Sequence, residues 1–203
     1  MTCFQLIFSP TGGTERVAKA LTETWPNVQT IDLSAQNFTA PAVPFGKDDL
    51  VLIAMPAFEA MAPQPALDRL ALLQGNGARC ALAAVYGNRA VDNTLAQMED
   101  YARNAGFQPI ATVSAIAAHS LLPEFAVGRP DDADRQQLAA FGKQILEKFT
   151  SGSDTCPPIP GEHHCTEKRA GLLPTVNAEC TSCGLCAREC PVGAISYTVL
   201  PVP

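Results

Sequence analysis

The chain has 203 residues, of which 47% are hydrophobic and 17% are charged, and its formal net charge is −6. This length suits one ordinary domain with a small second unit, and the apolar content predicts a packed core rather than a disordered chain. The acidic balance argues against nucleic acid as a partner, because nucleic-acid binding needs a basic face. The longest apolar run, near residues 50–58, is too short to span a membrane.

The N-terminus has neither a charged n-region nor a long apolar stretch, so we expect a cytoplasmic protein. A reducing cytoplasm disfavours disulfides, and the eight cysteines therefore need another explanation. Cys3 and Cys80 lie in predicted strands and are expected to be small core residues. Cys156 and Cys165 lie in a predicted linker, and the other four lie between residues 180 and 190.

The first 150 residues alternate between predicted strands and helices. Apolar or alternating runs, bounded by turn residues, predict strands at residues 2–8, 28–33, 50–55, 79–86 and 107–118. Helical spacing and capping residues predict helices at residues 14–25, 64–74, 90–105 and 131–149. This alternation predicts an α/β fold, with a parallel sheet covered by helices on both faces.

The first predicted strand leads into a loop with the sequence Ser-Pro-Thr-Gly-Gly-Thr, residues 9–14, and then into a helix. Hydroxyl groups at Ser9, Thr11 and Thr14 can donate to phosphate oxygens, while Gly12 and Gly13 permit unusual backbone angles and close approach. The N-terminus of the helix favours an anion through its free N–H groups and its dipole. The loop therefore predicts a phosphate site. The alternative is a plain turn in which Thr14 caps the helix.

Two other loops are expected to lie beside this one, because ligands in parallel sheets bind at the carboxyl ends of the strands. These loops are residues 56–63 and 86–90. The phosphate loop has neither the G-x-G-x-x-G pattern of dinucleotide-binding proteins nor the Gly-Lys-Ser/Thr of a P-loop. A different phosphate-bearing ligand is therefore expected.

A cysteine motif occupies residues 180–190. Cys180, Cys183, Cys186 and Cys190 follow the spacing C-x2-C-x2-C-x3-C, and proline follows the last cysteine. This is the pattern with which bacterial-type ferredoxins hold [4Fe–4S] clusters. The alternative is a structural zinc site, which usually separates two C-x2-C pairs by a longer span.

The fourth cluster ligand stays open, because in two-cluster ferredoxins the fourth cysteine binds the other cluster and this chain has one motif. The chain could be a piece of a longer protein, which is the interpretation that we favour. Two chains could instead pair as a homodimer, each lending Cys190 to the other. In the third interpretation, Cys156 or Cys165 supplies the fourth ligand.

Together these motifs resemble those of the flavodoxin–ferredoxin fusion proteins, which are electron carriers of anaerobic bacteria. The resemblance rests on the phosphate loop, on Val-Tyr-Gly-Asn-Arg-Ala-x-Asp-Asn at residues 85–93, on His119-Ser120, on Gly-Arg-Pro-Asp at residues 128–131, and on the cysteine motif. It implies a flavodoxin-like five-stranded sheet of order 2-1-3-4-5 at residues 1–150. A linker at 151–172 and a partial ferredoxin-like domain at 173–203 are expected to follow.

The resemblance also implies two cofactors, FMN in the first domain and a [4Fe–4S] cluster in the second. The phosphate loop is expected to hold the FMN phosphate, and two further groups of residues are expected to flank the isoalloxazine ring. These groups are Pro56, Ala57 and Phe58, and Tyr86, Gly87, Asn88 and Arg89.

The loop after the third strand departs from the pattern of the resembled family. It reads Pro-Ala-Phe-Glu-Ala-Met at residues 56–61, where relatives have a pattern of the Pro-Val-Tyr-Gly-Gly-Arg type. Phe58 is the one residue of this loop that can stack on a flavin ring.

Several candidates also have simpler explanations. Phe58 and Tyr86 could belong to the core, and Asn88 could make a turn. Arg89 and Arg129 could be surface charges or could offset a phosphate. His119 is expected to be an ordinary loop histidine. Cys156, His163, His164 and Cys165 could form a metal site, although their linker position favours solvated side chains.

The predicted function is electron transfer between a [4Fe–4S] cluster, FMN and an external redox protein, with no catalytic residue. One alternative is an FMN-dependent reductase of a quinone or nitro compound, fed by the cluster. Another is a binding module without redox chemistry, in which the cysteines are structural. Membranes and nucleic acid are not expected as partners.

Overall fold

A computed structural model describes residues 1–42, 45–165 and 174–196. Its sheet has five parallel strands in the order β2-β1-β3-β4-β5. The strands are β1 Cys3–Ile7, β2 Val28–Asp32, β3 Leu50–Pro56, β4 Arg79–Tyr86 and β5 Gln108–Ile116. The helices are α1 Gly13–Leu21, α2 Gln64–Ala71, α3 Thr94–Asn104, α4 Asp132–Thr150 and α5 Leu185–Arg188. The predicted α/β fold and its strand order are confirmed.

The central strand β3 explains why the sheet has two cores. All seven of its residues are buried, because helices cover both faces of the sheet. On one face, apolar residues of α1 and α4 pack against the sheet, and on the other face α2 and α3 do so. Strand β2 is at an edge, and its residues are half-buried or exposed, as its alternating sequence predicts.

The two isolated cysteines are core residues, as the sequence predicts. Cys3 and Cys80 are each 0% exposed. Burial raises the pKa of the Cys3 thiol to about 11, and it raises the pKa of Cys80 as well. Both thiols therefore stay protonated near neutral pH and behave as small apolar side chains.

Three helices differ from their predicted bounds. Helix α1 begins after Gly12, so Thr14 lies inside its first turn and the prediction that Thr14 caps the helix is wrong. Helix α3 begins at Thr94 rather than residue 90, because Asp92 has φ 46° and the chain is still turning there. Helix α2 ends at Ala71. Helix α4 lies within one residue of its predicted bounds, and the structure adds a reciprocal capping box between Asp131 and Asp134.

The predicted linker lies on the domain surface as far as the structure describes it. Ile159 is buried in the core that α2 and α3 cover. Asp100 of α3 accepts hydrogen bonds from His163 Nδ1 at 2.9 Å and from His164 N–H at 2.7 Å. Cys156 and Cys165 are half-buried whereas His163 and His164 are exposed, so the solvated side chains expected of this linker are found at the histidines but not at the cysteines. The predicted boundary near residue 173 lies outside the described residues.

Helices α1 and α4 approach each other closely at Gly142. A Cβ atom at this position would lie 1.7 Å from the carbonyl oxygen of Leu21, which terminates α1. The carbonyl oxygen of Gly142 also accepts a hydrogen bond of 2.9 Å from the Trp25 indole. Glycine is therefore required here, although it lowers helix propensity.

We expect Gly142→Ala to destabilise the fold by about 1–3 kcal/mol or more, because the new methyl group would clash with backbone. Urea unfolding monitored by circular dichroism measures the change. Gly46→Ala is the matched control, since a Cβ there has nothing within 4 Å. Equal unfolding midpoints for the two variants would contradict the close approach.

Candidate functional site

The carboxyl ends of the strands meet at one edge of the sheet. Ile7 is in register with Ala54, and Tyr86 is in register with Ile116. The loops that leave these ends are tied to neighbouring strands, as shown by the 2.8 Å hydrogen bond from Ala57 N–H to the Val85 carbonyl oxygen. All the predicted ligand-binding loops therefore start from this edge.

The phosphate loop has a defined backbone. Gly12 has φ 79°, in the left-handed region that glycine adopts readily, and α1 begins immediately after it. The Ser9 hydroxyl accepts a hydrogen bond of 2.9 Å from Glu15 N–H, so it caps the helix in place of Thr14. The Ser9 N–H donates to the Ser34 hydroxyl at 2.6 Å, which fixes the start of the loop.

Three N–H groups at the start of α1 have no acceptor among the described residues. They belong to Thr11, Gly13 and Thr14. The N-terminal N–H groups of a helix have no partner within the helix, and with the helix dipole they favour an anion. The Thr11 side chain is exposed and Thr14 is only 3% exposed, so the two hydroxyls differ in solvent access.

Arg16 is a cation at this loop that the sequence analysis did not identify. A Cβ built on Gly12 would lie 3.6 Å from Arg16 Nη1, so the guanidinium group lies over the glycine. Arg16 lies four residues after Gly12, in the first turn of the helix, and this spacing was the sequence signal that could have identified it. A guanidinium group here adds positive charge to the anion-binding N–H groups.

The loop after β3 contains a tight hairpin. Phe58 and Met61 exchange backbone hydrogen bonds of 2.8 and 3.1 Å, and the two residues between them, Glu59 and Ala60, have φ values of 50° and 73°. Two central residues with positive φ describe a type I′ turn, which favours glycine or asparagine. The loop thus adopts a conformation that suits glycine although neither residue is glycine. The left-handed backbone costs about 1–2 kcal/mol per residue. Phe58, which flanks the turn, is 40% exposed.

His119 lies against the loop after β4. A Cβ at Gly87 would be 2.4 Å from His119 Cδ2, so the imidazole ring occupies the space beside this glycine. His119 Nδ1 accepts hydrogen bonds from Leu121 N–H at 3.2 Å and from Leu122 N–H at 3.1 Å. These donors leave the ring proton of a neutral imidazole on Nε2. The hydrogen bonds agree with the expected ordinary loop histidine, and the contact with Gly87 is a feature that the sequence analysis did not identify.

The other residues of the β4 loop are at the surface or at its rim. Tyr86 is half-buried at the end of its strand. Asn88 is exposed with φ 69°, as a turn residue would be. Arg89 is exposed and forms an ion pair with Asp92.

Arg129 is paired within its own loop rather than directed at an anion. Its guanidinium group donates to both carboxylate oxygens of Asp134, which is half-buried near the start of α4. The hydrogen bonds from Arg129 lower the pKa of Asp134 below its usual value. The Gly-Arg-Pro-Asp block therefore holds the loop after β5 against α4.

The cysteine motif surrounds a short turn. Gly184 has φ 71° and is followed by α5, while Cys180, Cys183 and Cys186 are exposed. The N–H group of Ala194 donates to Cys190 Sγ at 3.3 Å. This loop offers thiolates that are accessible from solvent.

Backbone N–H groups make two of these thiols more acidic. Hydrogen bonding by Leu185 N–H lowers the pKa of Cys183, and hydrogen bonding by Val192 N–H lowers the pKa of Cys190. Stabilised thiolates are the form in which cysteine binds iron, so the motif fits an iron–sulfur cluster.

No group of three or more His, Cys, Asp or Glu side chains in residues 1–42, 45–165 and 174–196 is arranged to hold a metal ion. Cys156, His163, His164 and Cys165 therefore do not form the metal site that the sequence left open. Cys165 Sγ instead lies 3.8 Å from Met61 Sδ and 3.7 Å from Asn93 Nδ2. In a cube of four irons each thiolate binds a different iron, so the cysteines of the motif fit a cluster without converging on a single ion.

Two cavities lie near the β5 side of the sheet. The larger, of about 480 Å³, lies between β5 and α4 and is lined by none of the predicted site residues. The smaller, of about 130 Å³, includes Tyr86 and Arg129. Neither includes the phosphate loop.

Comparison with known proteins identifies the C-terminal motif. Residues 174–196 match the family model described as a 4Fe-4S binding domain. Comparison with curated proteins gives no match. None of the helices within the described ranges is long and apolar enough to cross a membrane.

Solved structures share the fold of the first part of the chain. A flavone reductase aligns with a TM-score of 0.51 at 15% identity, over 76% of this chain and 65% of its own. The flavodiiron core of a protein from Synechocystis sp. PCC6803 aligns with a TM-score of 0.50 at 16% identity, over 75% of this chain and 37% of its own. A flavodoxin from the domain Archaea aligns with a TM-score of 0.48 at 16% identity, over 74% of this chain and 99% of its own.

At these identities the solved structures support the fold alone. The strand order agrees with the order that the resemblance implied, and the family model covers all four cysteines of the motif. The chain therefore combines a flavodoxin-like fold with a 4Fe-4S binding motif on its C-terminal side.

Proposed function

We propose that this protein transfers electrons between FMN, a [4Fe–4S] cluster and an external redox protein. The observation that supports it most directly is the set of free N–H groups at the start of α1, which we call the anion cradle, on the same chain as a ferredoxin-type cysteine motif. FMN is the phosphate-bearing ligand that the flavodoxin-like fold and the resemblance both suggest. Flavin exchanges one or two electrons and a cluster exchanges one, so together they suit one-electron and two-electron partners.

The phosphate end of the site is the better formed. The N–H groups of Thr11, Gly13 and Thr14 and the threonine hydroxyls can donate to a phosphate, and Arg16 can offset its charge. Ser9 acts indirectly, because its hydroxyl already accepts the Glu15 N–H. We assign it to holding the shape of the loop.

The ring end depends on two loops with different roles. Phe58, partly exposed beside the turn of its hairpin, can stack on an aromatic ring. On the other side, Tyr86, Gly87 and Asn88 present an aromatic ring, a glycine backbone and an amide, and His119 supports Gly87 from behind. Pro56, Ala57 and Arg89 lie at the bases and rim of these loops and complete the proposed ring site.

The cluster end uses Cys180, Cys183 and Cys186 as ligands, with N–H groups that stabilise the thiolates. Cys190 is the fourth cysteine of the motif, and its acceptor contact with Ala194 N–H also suits an anionic sulfur. Cys165 is already engaged with Met61 and Asn93. We therefore favour a ligand set within the motif over one that includes the linker.

We expect the double substitution Thr11→Ala with Thr14→Ala to weaken FMN binding about tenfold or more, because hydrogen bonds to a charged group are each worth about 1.5–3 kcal/mol. Quenching of flavin fluorescence in a titration of the apoprotein measures the dissociation constant. Thr39→Ala, at an exposed loop position, is the control. An unchanged dissociation constant in the double variant would refute the phosphate assignment.

We expect Gly87→Ala to destabilise the protein by about 1–3 kcal/mol, because its methyl group would overlap the His119 ring. The same displacement is expected to loosen FMN binding at the ring end. Urea unfolding and flavin titration measure the two effects. In the double variant with His119→Ala, the methyl group has space. The double variant should therefore lose less stability than the sum of the losses in the two single variants. Strict additivity would contradict the contact.

We expect serine at position 180, 183 or 186 to abolish the cluster, whereas Cys165→Ser should leave it in place. Anaerobic purification followed by iron and sulfide analysis and visible absorbance measures cluster content per chain. Cys3→Ala, a fully buried thiol in the sheet, controls for the loss of a cysteine as such. Loss of iron in Cys165→Ser would instead assign a ligand to the linker. A colourless protein loaded with zinc would reject the redox proposal.

A further inference from the structure

The cysteine motif contacts the flavodoxin-like part of the chain at two points. Gln36 Nε2 donates to the Ala187 carbonyl oxygen at 3.0 Å. Arg69 Nη2 donates to the Pro191 carbonyl oxygen. Both acceptors directly follow a cysteine of the motif, since Ala187 comes after Cys186 and Pro191 comes after Cys190. The contacts therefore hold the backbone that positions two thiols.

Arg69 is held in place on the side away from the motif. Its Nη1 donates to the Leu33 carbonyl oxygen, and its guanidinium carbon lies 5.5 Å from the centre of the Phe38 ring. An arginine whose planar group is bound at both ends and lies near an aromatic ring loses little further freedom when it binds an acceptor. We call Leu33, Gln36, Phe38 and Arg69 the docking patch.

The docking patch is next to the phosphate loop. Leu33 follows β2, and its neighbour Ser34 accepts the hydrogen bond from Ser9 N–H at 2.6 Å. The carbonyl oxygen of Ile7 accepts the Leu33 N–H at 2.7 Å, which ties the patch to the end of β1. The segment that carries the cysteines is thereby held at the same sheet edge as the anion cradle.

We propose that the docking patch positions the iron–sulfur segment for electron exchange with the flavin of the same chain, with Arg69 as the main positioning residue. The cluster would supply one-electron chemistry to the flavin, with the external redox protein as the source of the electron, and Gln36 and Arg69 would hold the backbone that follows Cys186 and Cys190. Docking shortens the distance that the electron crosses between the cluster and the flavin, and it keeps that distance constant. This functional consequence rests on the proposed function, whereas the docking itself does not.

The charge of Arg69 acts in the same direction. A cluster held by thiolates is anionic, and a nearby guanidinium group stabilises its reduced, more negative state. The positive charge therefore raises the reduction potential of the cluster, and it favours the docked arrangement over a free one. Removing the charge should lower the potential even where the segment stays docked.

The test uses anaerobically purified, full-length protein loaded with its cluster, and compares Arg69→Gln with Arg103→Gln. Arg103 is an exposed arginine of α3 that pairs with Glu99 in its own helix, so this variant makes the same charge change away from the patch. Amide hydrogen exchange followed by mass spectrometry reports on the peptides that cover residues 185–193. We expect about tenfold lower protection there in Arg69→Gln, because a hydrogen bond from a charged donor is lost. Protection in Arg103→Gln should be unchanged.

A second variant covers the case in which Arg69→Gln disturbs the loop around Leu33. Gln36 is exposed, and Gln36→Ala removes only its contact with Ala187, so it should reduce protection in the same peptides by a smaller factor. Parent-like protection of residues 185–193 in both variants would overturn the docking. Loss of protection spread over the whole sheet would show that Arg69 has only a structural role, and this result would also count against the docking.

Two functional readouts complete the test. With flavin and iron contents equal to the parent, Arg69→Gln should slow the reduction of flavin after rapid reduction of the cluster, and should lower the midpoint potential of the cluster. Unchanged rate and potential would overturn the role of Arg69 as a positioning residue. A protein that binds no FMN would refute the proposed function, while the exchange measurement would still decide the docking.

Discussion

The site depends on the parallel pairing of β3 with both of its neighbours. Because all five strands run in one direction, every strand ends at the same edge of the sheet, and the backbone groups beyond that edge have no ladder partners. The burial of β3 on both faces prevents slippage of the register, since residues 50–55 alternate between one core and the other. The phosphate loop, the loops after β3 and β4 and the docking patch are all placed by this arrangement.

Packing on one face of the sheet in turn determines the direction of α1. At Gly142 the absence of a side chain lets α4 approach the last residue of α1, and Trp25 closes the contact with its indole hydrogen bond. The free N–H groups of Thr11, Gly13 and Thr14 lie at the other end of the same helix. A contact remote from the cradle therefore contributes to the direction in which the cradle faces.

The loop after β3 shows how hydrogen bonds can hold a backbone conformation that residues other than glycine rarely adopt. Glu59 and Ala60 adopt the left-handed backbone that a Gly-Gly pair would adopt without strain. Hydrogen bonds between Phe58 and Met61 keep the turn closed, and the Asn93 N–H adds a bond of 3.1 Å to the Ala60 carbonyl oxygen. Residual strain of this kind persists only where surrounding contacts determine the backbone, which is a common property of ligand-binding loops.

The cysteine motif is held differently from the sheet. Three of its cysteines are exposed, and its one helix, Leu185–Arg188, has no buried residue. Ligand-dependent stability is expected for such a segment, because it has little apolar burial of its own and binding a metal group supplies folding free energy. Contacts from Gln36 and Arg69 add a second source of order from the larger part of the chain.

The sequence by itself determined the features that depend on local pattern. These are the alternation of strands and helices, the buried strand at residues 50–55, the start of α4 with its acidic first turn, and the cysteine spacing. Strand order came through the resemblance to a family, since periodicity alone does not specify which strands are neighbours. Of the candidate site, the sequence identified the loops and their residue types.

Only the tertiary structure decided which groups within those loops are free to bind a ligand. It placed Thr14 inside the helix, gave the capping role to Ser9, and brought Arg16 over Gly12. It also joined Gln36 to Ala187, two residues 151 positions apart in the chain. The physical reason is that such contacts depend on the meeting of distant segments in three dimensions, which leaves no periodic or local signal in the sequence.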